Sequence, residues 1–259
     1  MRKTNFSFLP ESKRFFYEQW ARSFRIQLPQ KHDIWAPFTS KLLESKIALV
    51  SVTGAYLEGQ KPFTNEDIAR NYEYREIPLD FNRPDLHFMA HDWEASEALL
   101  DPNVIMPVDR LILLQKEGMI GKIHDPIYSF SGFNSHSEHL KKNVQKLAKS
   151  LKGNEPQGIL IIPCSAVTSQ TAVAIATELE TVGFPTAMLS LFYEQAVILA
   201  PPRCAFINFP FGRTLGKPNH VTLHTAILRD TLRLFEKAKS PGMLLGLNYI
   251  WSCGEIPVW

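Results

Sequence analysis

The strongest hydrophobic signal along the chain is Ile159 to Ile162, four consecutive branched apolar residues between Gly158 and Pro163. An unbroken apolar run of this length reads as a strand covered on both faces. Pro163 has no N–H to give a sheet ladder, so the strand must end there. Small residues at helical spacing follow, predicting a helix from about Ser169 to Thr181. Residues 46–54 repeat the theme as Lys-Ile-Ala-Leu-Val-Ser-Val-Thr-Gly, again apolar and β-branched. Further strands are expected at residues 128–133, 186–192 and 203–208, with an edge strand at 71–78 and a short strand at 86–90.

Helical periodicity fills the intervals. Residues 10–25 carry Phe15, Phe16, Trp20 and Phe24 with charges between them, an aromatic stripe that covers the sheet or makes a dimer contact. Residues 107–118 run from a first-turn proline to a terminal glycine. Residues 137–151 place Leu140, Val144, Leu147 and Leu151 on one side, and another helix starts near Asn219. Strands alternating with helices argue an α/β fold, a largely parallel, Rossmann-like sheet with helices on both faces. The expected division is an N-terminal helical and extended segment over residues 1–45 and an α/β domain over 46–259. If the latter forms two lobes, the hinge falls near 152–156. The aromatic tail from Asn248 to Trp259 is expected to dock on the body.

Composition removes several classes of function. Hydrophobic residues make up 45% and charged residues 21%, ordinary for a globular protein, and a formal charge of +2 makes no case for nucleic acid. Nothing approaches the roughly 18 uninterrupted apolar residues of a membrane span. Glu11, Lys13 and Arg14 follow the first ten residues at once, so no secretory core is formed and a cytoplasmic location is expected. The three cysteines, Cys164, Cys204 and Cys253, are odd in number and widely spaced, which indicates reduced thiols rather than a disulfide framework or a zinc site.

Candidate chemistry centres on Cys164. It stands at the carboxyl end of a central strand, where open α/β sheets keep their ligands, and faces the next helix N-terminus, whose partial positive charge favours a thiolate. The competing reading of equal weight is a small buried hydrophobe. Thr53 and Gly54 close the other central strand, and glycine there lets backbone approach a ligand. His91 and Asp92 follow the strand at 86–90, placing a general base or proton donor and its orienting carboxylate on the same rim if the strands are parallel. Capping of a helix near Trp93 is the commoner role for Asp92. A metal reading would use His87, His91 and Asp92. Arg213 and Lys217, in a Gly-rich loop before a helix, would hold a carboxylate, against the plain alternative of a solvated loop. His220 and His224 stand at i and i+4, more often an exposed face than a metal site.

Several blocks then carry a family resemblance: residues 48–54, Tyr74-Arg75-Glu76-Ile77-Pro78, Asp85 to Phe88, Pro107 to Leu111, Tyr128 to Phe130 and the Cys164 segment. From about Leu28 to Trp251 the chain resembles the selenoprotein B family of the glycine, sarcosine, betaine and D-proline reductases, with a length most like the D-proline enzyme's subunit. In that family a selenocysteine at the end of the equivalent strand attacks the carbon next to an amine, which a pyruvoyl group on a partner subunit activates, and the C–N bond is cut reductively. Cys164 falls where the selenocysteine stands. The resemblance implies a cysteine-dependent oxidoreductase acting on a small amine or amino-acid-like substrate, with Cys164, His91 and Asp92 catalytic and Thr53, Gly54, Ser165, Arg213 and Lys217 binding substrate. It further implies a pyruvoyl-bearing partner or a thiol reductant, alongside an expected homo-oligomer. No cofactor of the chain's own is evident. In place of the second cysteine that commonly follows in the reductases stand Ser165, Ala166, Val167 and Thr168. That absence motivates the alternative of a non-catalytic partner subunit that keeps the fold.

Overall fold

Strands β1 (Lys46–Val52) and β7 (Gly158–Pro163), the two longest apolar runs, lie side by side in parallel at the centre of the sheet. Their register runs from Ile47 opposite Gly158 to Val52 opposite Pro163. Neither strand has a solvated face, as the unbroken runs require, and each fully buried Leu or Ile contributes about 1.5–3 kcal/mol. The computed structural model describes residues 3–25, 33–63, 73–89, 95–132 and 138–251.

Beyond β7 the sheet continues through β8 (Thr186–Ser190), β9 (Arg203–Phe206) and β10 (Met243–Gly246), all parallel. Beyond β1 come parallel β6 (Ile127–Phe130) and the antiparallel edge strand β3 (Arg75–Ile77), while short β5 (Lys122–Ile123) pairs with the start of β1. The chain therefore leaves β1 toward β6, crosses back to β7 and then winds the opposite way. The direction of winding reverses between β1 and β7, and ligand crevices of open α/β sheets form at such a reversal, outside the carboxyl ends of the strands.

Alternation along the strands sorts the core into two layers. Ala48, Val50, Ile159, Ile161 and Met188 face helices α4 (Glu138–Leu151) and α5 (Ala166–Thr181). Leu49, Leu160, Ile162 and Leu189 face the other layer, built with α3 (Val108–Lys116), α7 (Val221–Leu232) and α8 (Leu234–Lys237). The α/β architecture with helices on both faces is as the sequence predicts.

Three expectations need correction. Residues 86–88 form β4 (Leu86–Phe88), which pairs antiparallel with β2 (Ala55–Leu57) in a separate two-stranded sheet rather than joining the main one. The cause is Gly54, whose φ of +65° turns the chain out of β1 directly into β2. Helix α1 (Glu11–Arg25) buries Tyr17, Ala21 and Phe24 and half-buries Trp20, leaving Phe15 66% and Phe16 61% exposed, so the packing face is rotated from the stripe read in the sequence. His224 is fully buried rather than on an exposed face. The helix expected near Trp93 is α2 (Ser96–Leu100), beginning three residues later; the short helix α6 (Tyr193–Leu199) was not anticipated, and α1 packs on α6.

At the amino edge of the sheet, Arg203 at the start of β9 is wholly buried. It donates to Glu180 at 2.5 Å and to the Ala36 carbonyl at 2.7 Å, and its guanidinium lies 3.6 Å over the Trp35 ring. The connector at residues 35–37 is thereby tied to the sheet.

Candidate active site

Cys164 leaves β7 one residue beyond Pro163, and α5 begins two residues later. Ser165 is the N-cap and Thr168 the N3 residue of a capping box: the Ser165 hydroxyl accepts from Thr168 N at 3.2 Å, and Thr168 Oγ1 accepts from Ser165 N at 2.8 Å. The helix consequently starts three residues earlier than the sequence reading placed it, which brings its N-terminus to the thiol. Thr168 Oγ1 also accepts from Cys164 N at 2.9 Å and lies 3.7 Å from the sulfur. The thiol points to Val52 O at 3.6 Å across the ladder and is fully buried.

The wall opposite Cys164 is the end of β1. Thr53 follows the pair Val52 and Pro163 and shares the sheet face of Ser51, whose hydroxyl lies 2.7 Å from its own. Gly54 donates to Phe130 O at 2.8 Å, and its carbonyl accepts from Met89 N at 3.0 Å. A Cβ on Gly54 would sit 2.8 Å from that of Met89, so glycine permits the close approach that returns β4 to this rim. His91 and Asp92 lie outside the described residues, two and three positions beyond Met89. His87 is exposed, its ring centroid 5.4 Å from that of Tyr56. Among the described residues no group of three His, Cys, Asp or Glu side chains is placed to hold a metal ion.

The loop after β9 makes the third side. Gly212 N donates to Cys164 O at 2.7 Å, and Thr214 Oγ1 donates to Pro163 O at 2.7 Å, so the loop grips the cysteine turn by its backbone. Arg213 pairs with Glu97 at 2.6 Å and stands 5.6 Å from the Trp251 ring, with Lys217 Nζ 6.0 Å from the same ring. Trp251 in turn packs edge-on against Phe209, docking the described start of the tail.

His224 holds the far end of this loop. Its Nε2 donates to Lys217 O at 2.8 Å, and its Nδ1 faces Arg110 Nε at 3.4 Å, the arrangement of a neutral ring. Burial pushes its pKa down to about 4. Asp101 accepts from Arg110 at 3.0 Å and from Asn219 N at 2.8 Å. Burial alone would raise the Asp101 carboxyl, but bonds from Asn103 and Asn219 and the Arg110 charge outweigh it and hold the group below the usual range.

Thr168, Gly212 and Thr214 were missed as supports of the site. Ser165-Ala-Val-Thr168 is a capping-box spacing with Thr where Glu or Gln is usual, which is why it went unread. Cys204 lies in the layer facing α4 and α5, two strands from β7, so it does not meet Cys164, which belongs to the other layer. Burial pushes the Cys204 thiol up. Cys253 lies outside the described residues.

The chain belongs to the glycine/sarcosine/betaine reductase selenoprotein B family, whose profile matches residues 16–164 and so ends on this cysteine. Among curated proteins it is similar to the D-proline reductase subunit gamma of Acetoanaerobium sticklandii, 24% identical over 217 residues that cover 83% of this chain and 88% of that one. It is 26% identical over 151 residues to the glycine reductase complex component B subunit gamma of Symbiobacterium thermophilum, covering 58% of this chain and 35% of the relative. To the betaine reductase complex component B subunit beta of Peptoclostridium acidaminophilum it is 27% identical over 128 residues, 49% of this chain and 29% of that one. The match thus spans about a third of the length of these two relatives. No solved structure matches significantly. Among the described residues no helix is long and apolar enough to cross a membrane.

Proposed function

We propose that the chain is a subunit of a reductase complex and that Cys164 is its nucleophile toward a small amine or amino-acid-like substrate. The observation that carries this reading is the position of Cys164: at the winding reversal, at the N-terminus of a 16-residue helix, where the family match ends. The helix dipole favours a thiolate there. In the reaction a C–S bond forms at the carbon next to nitrogen as the C–N bond breaks, and the electron pair leaves with the amine. Release of that carbon as C–H takes two electrons and a proton from a dithiol reductant, which ends as a disulfide. A pyruvoyl group on a partner subunit, when present, supplies the electron sink for the amine nitrogen.

In this reading Thr53, Gly54 and Ser165 line the substrate, Arg213 or Lys217 holds its carboxylate, His91 transfers the proton and Asp92 orients His91. The relatives' names point to glycine, betaine and D-proline as first candidates. The test is the pH dependence of iodoacetamide alkylation at each cysteine, read by peptide mass spectrometry with and without these compounds, together with turnover of Cys164→Ser in the complex. Alkylation of Cys164 with a midpoint below the ~8.5 of a free thiol, protection by substrate, and loss of turnover in the variant are expected. Unchanged turnover in Cys164→Ser would sink the reading.

Full burial of Cys164, with Cys204 on the opposite face of the sheet, favours a second reading: a non-catalytic partner subunit that keeps the fold. It requires Cys164 to be inert to alkylation in the assembled complex and substrate binding to survive Cys164→Ala.

A further inference from the structure

Away from Cys164, the N-terminal segment, α1 and the residues after β9 enclose a cleft of about 470 Å³, within the range of small-molecule sites. Lys3, Arg14 and Arg22 line it with a single carboxylate, Glu18. Among the described residues these four side chains form no ion pair with one another.

At the cleft wall Thr4 spends its donors, giving N at 3.3 Å and Oγ1 at 2.7 Å to the buried Glu194 carboxylate, whereas the two asparagine amides use up their acceptors and keep their donors. Asn208 Oδ1 accepts from Asn5 N at 2.9 Å, and Asn5 Oδ1 accepts from Ser7 N at 2.9 Å. Each bond fixes which end of its amide is oxygen, so the two NH2 groups remain as donors at the wall. Arg14 gives Nη2 to Ser7 O at 2.9 Å and Leu9 O at 3.1 Å, which anchors its guanidinium. Its Nε is buried and bonded to nothing.

We infer that this cleft binds a small anionic metabolite bearing carboxylate or phosphate groups, held by Arg14, Arg22 and Lys3 with the Asn5 and Asn208 amides as neutral donors. Charge-assisted donors converging from separate elements suit either headgroup. The cleft exceeds a bare phosphate, so the ligand carries more than one anionic group or a body beside it. Its floor includes buried Phe6, whose ring packs edge-on against Phe192 at 5.6 Å and Phe211 at 6.3 Å. An occupant would therefore clamp the N-terminal segment onto the body, which gives the binding a stability readout independent of any activity.

The test is thermal unfolding of the full chain titrated with inorganic phosphate, pyrophosphate and citrate at constant ionic strength, with heats of binding by calorimetry. A saturable rise in Tm is expected for pyrophosphate or citrate, and whichever saturates first identifies the headgroup. Arg22→Gln, an exposed position with no bond to lose, should weaken the apparent affinity by roughly tenfold, one charge-assisted contact. Glu18→Gln should tighten it, because the one carboxylate that lines the cleft is gone. A rise that is linear, or that is the same in wild type, Arg22→Gln and Glu18→Gln, would be a general salt effect and overturns the site, as does the absence of any rise or heat.

Discussion

Thr168 and Cys164 are joined twice: the threonine hydroxyl accepts from the cysteine N–H at 2.9 Å and lies 3.7 Å from its sulfur. The same oxygen accepts from Ser165 N at 2.8 Å, so one hydroxyl satisfies two buried peptide groups of the turn that presents the thiol. Thr168→Val keeps the shape and removes that acceptor. A stability loss of roughly 2–4 kcal/mol is expected from the orphaned donors and the broken cap, with Thr168→Ser close to wild type. Urea unfolding of the pair of variants checks the energy. Alkylation of Cys164 should shift in Val and not in Ser, and equal behaviour of the two would show that the hydroxyl has no part in placing the thiol.

The elements that build this site differ in how plainly the sequence announces them. β1 and β7 were legible because both faces are buried, so their apolar runs are unbroken, and α4 was legible from Leu140, Val144, Leu147 and Leu151. β2 and β4 were not, since strands of three residues carry too little alternation to show which sheet they join. β10 is half-buried throughout, so it lacks the apolar contrast of a central strand. The position of Cys164 was read from Pro163 alone. The grip of Gly212 and Thr214 on its turn was not, because it depends on contacts between residues about fifty positions apart. The burial of His224 rests on Asp101 and Arg110, more than a hundred positions earlier, and no local pattern encodes such a partnership.

Gly54 makes the second prediction. Its φ is +65°, and a Cβ there would stand 2.8 Å from Met89 Cβ and 3.4 Å from Met89 O. Gly54→Ala pays for both the left-handed backbone and the contact, so a loss of about 1–3 kcal/mol is expected. Part of the strain would be relieved by moving the segment after β4 away from the rim. Tm and limited proteolysis of the region following Met89 measure the two effects, and a Tm within error of wild type would show that the approach of the two segments is loose.

His224 gives a pH dependence whose sign is fixed by its environment. Its folded pKa is about 4 against an ordinary 6.5, because burial disfavours the imidazolium. Arg110 and His220 oppose the charge, while Asp101 and the Lys217 carbonyl favour it less strongly than burial opposes it. The unfolded chain binds the proton first as pH falls, so the contribution is complete above about pH 6.5 and is lost between about 6.5 and 4. At 1.36 kcal/mol per unit it amounts to about 3 kcal/mol. Urea unfolding of wild type and His224→Gln across this range should give a difference that flattens above pH 7 and falls toward pH 4. A parallel pair of curves would mean that His224 titrates alike in the folded and unfolded chain.

The pair of Glu180 and Arg203 tests how the connector before β1 is held. Both side chains are fully buried, with Glu180 also accepting from Ala36 N at 2.5 Å and Thr186 N at 2.6 Å. Burial pushes the Glu180 carboxyl up and the Arg203 guanidinium down, each against the direction in which the partner's charge pulls it. Desolvation therefore offsets much of the attraction, and the pair stabilises the fold chiefly by leaving neither charge alone. Arg203→Met removes the bonds to Glu180 and Ala36 and the stacking on Trp35, stranding a buried carboxylate, so a loss of about 3–5 kcal/mol is expected. Glu180→Gln keeps the acceptors for Ala36 and Thr186 only in part and leaves the guanidinium unneutralised, with a similar cost. Combining Arg203→Met with Glu180→Leu removes both charges and should recover more than half of the single-variant loss in urea unfolding. Losses that simply add would show that the two side chains act independently, and the connector would then be held by Trp35 packing rather than by the ion pair.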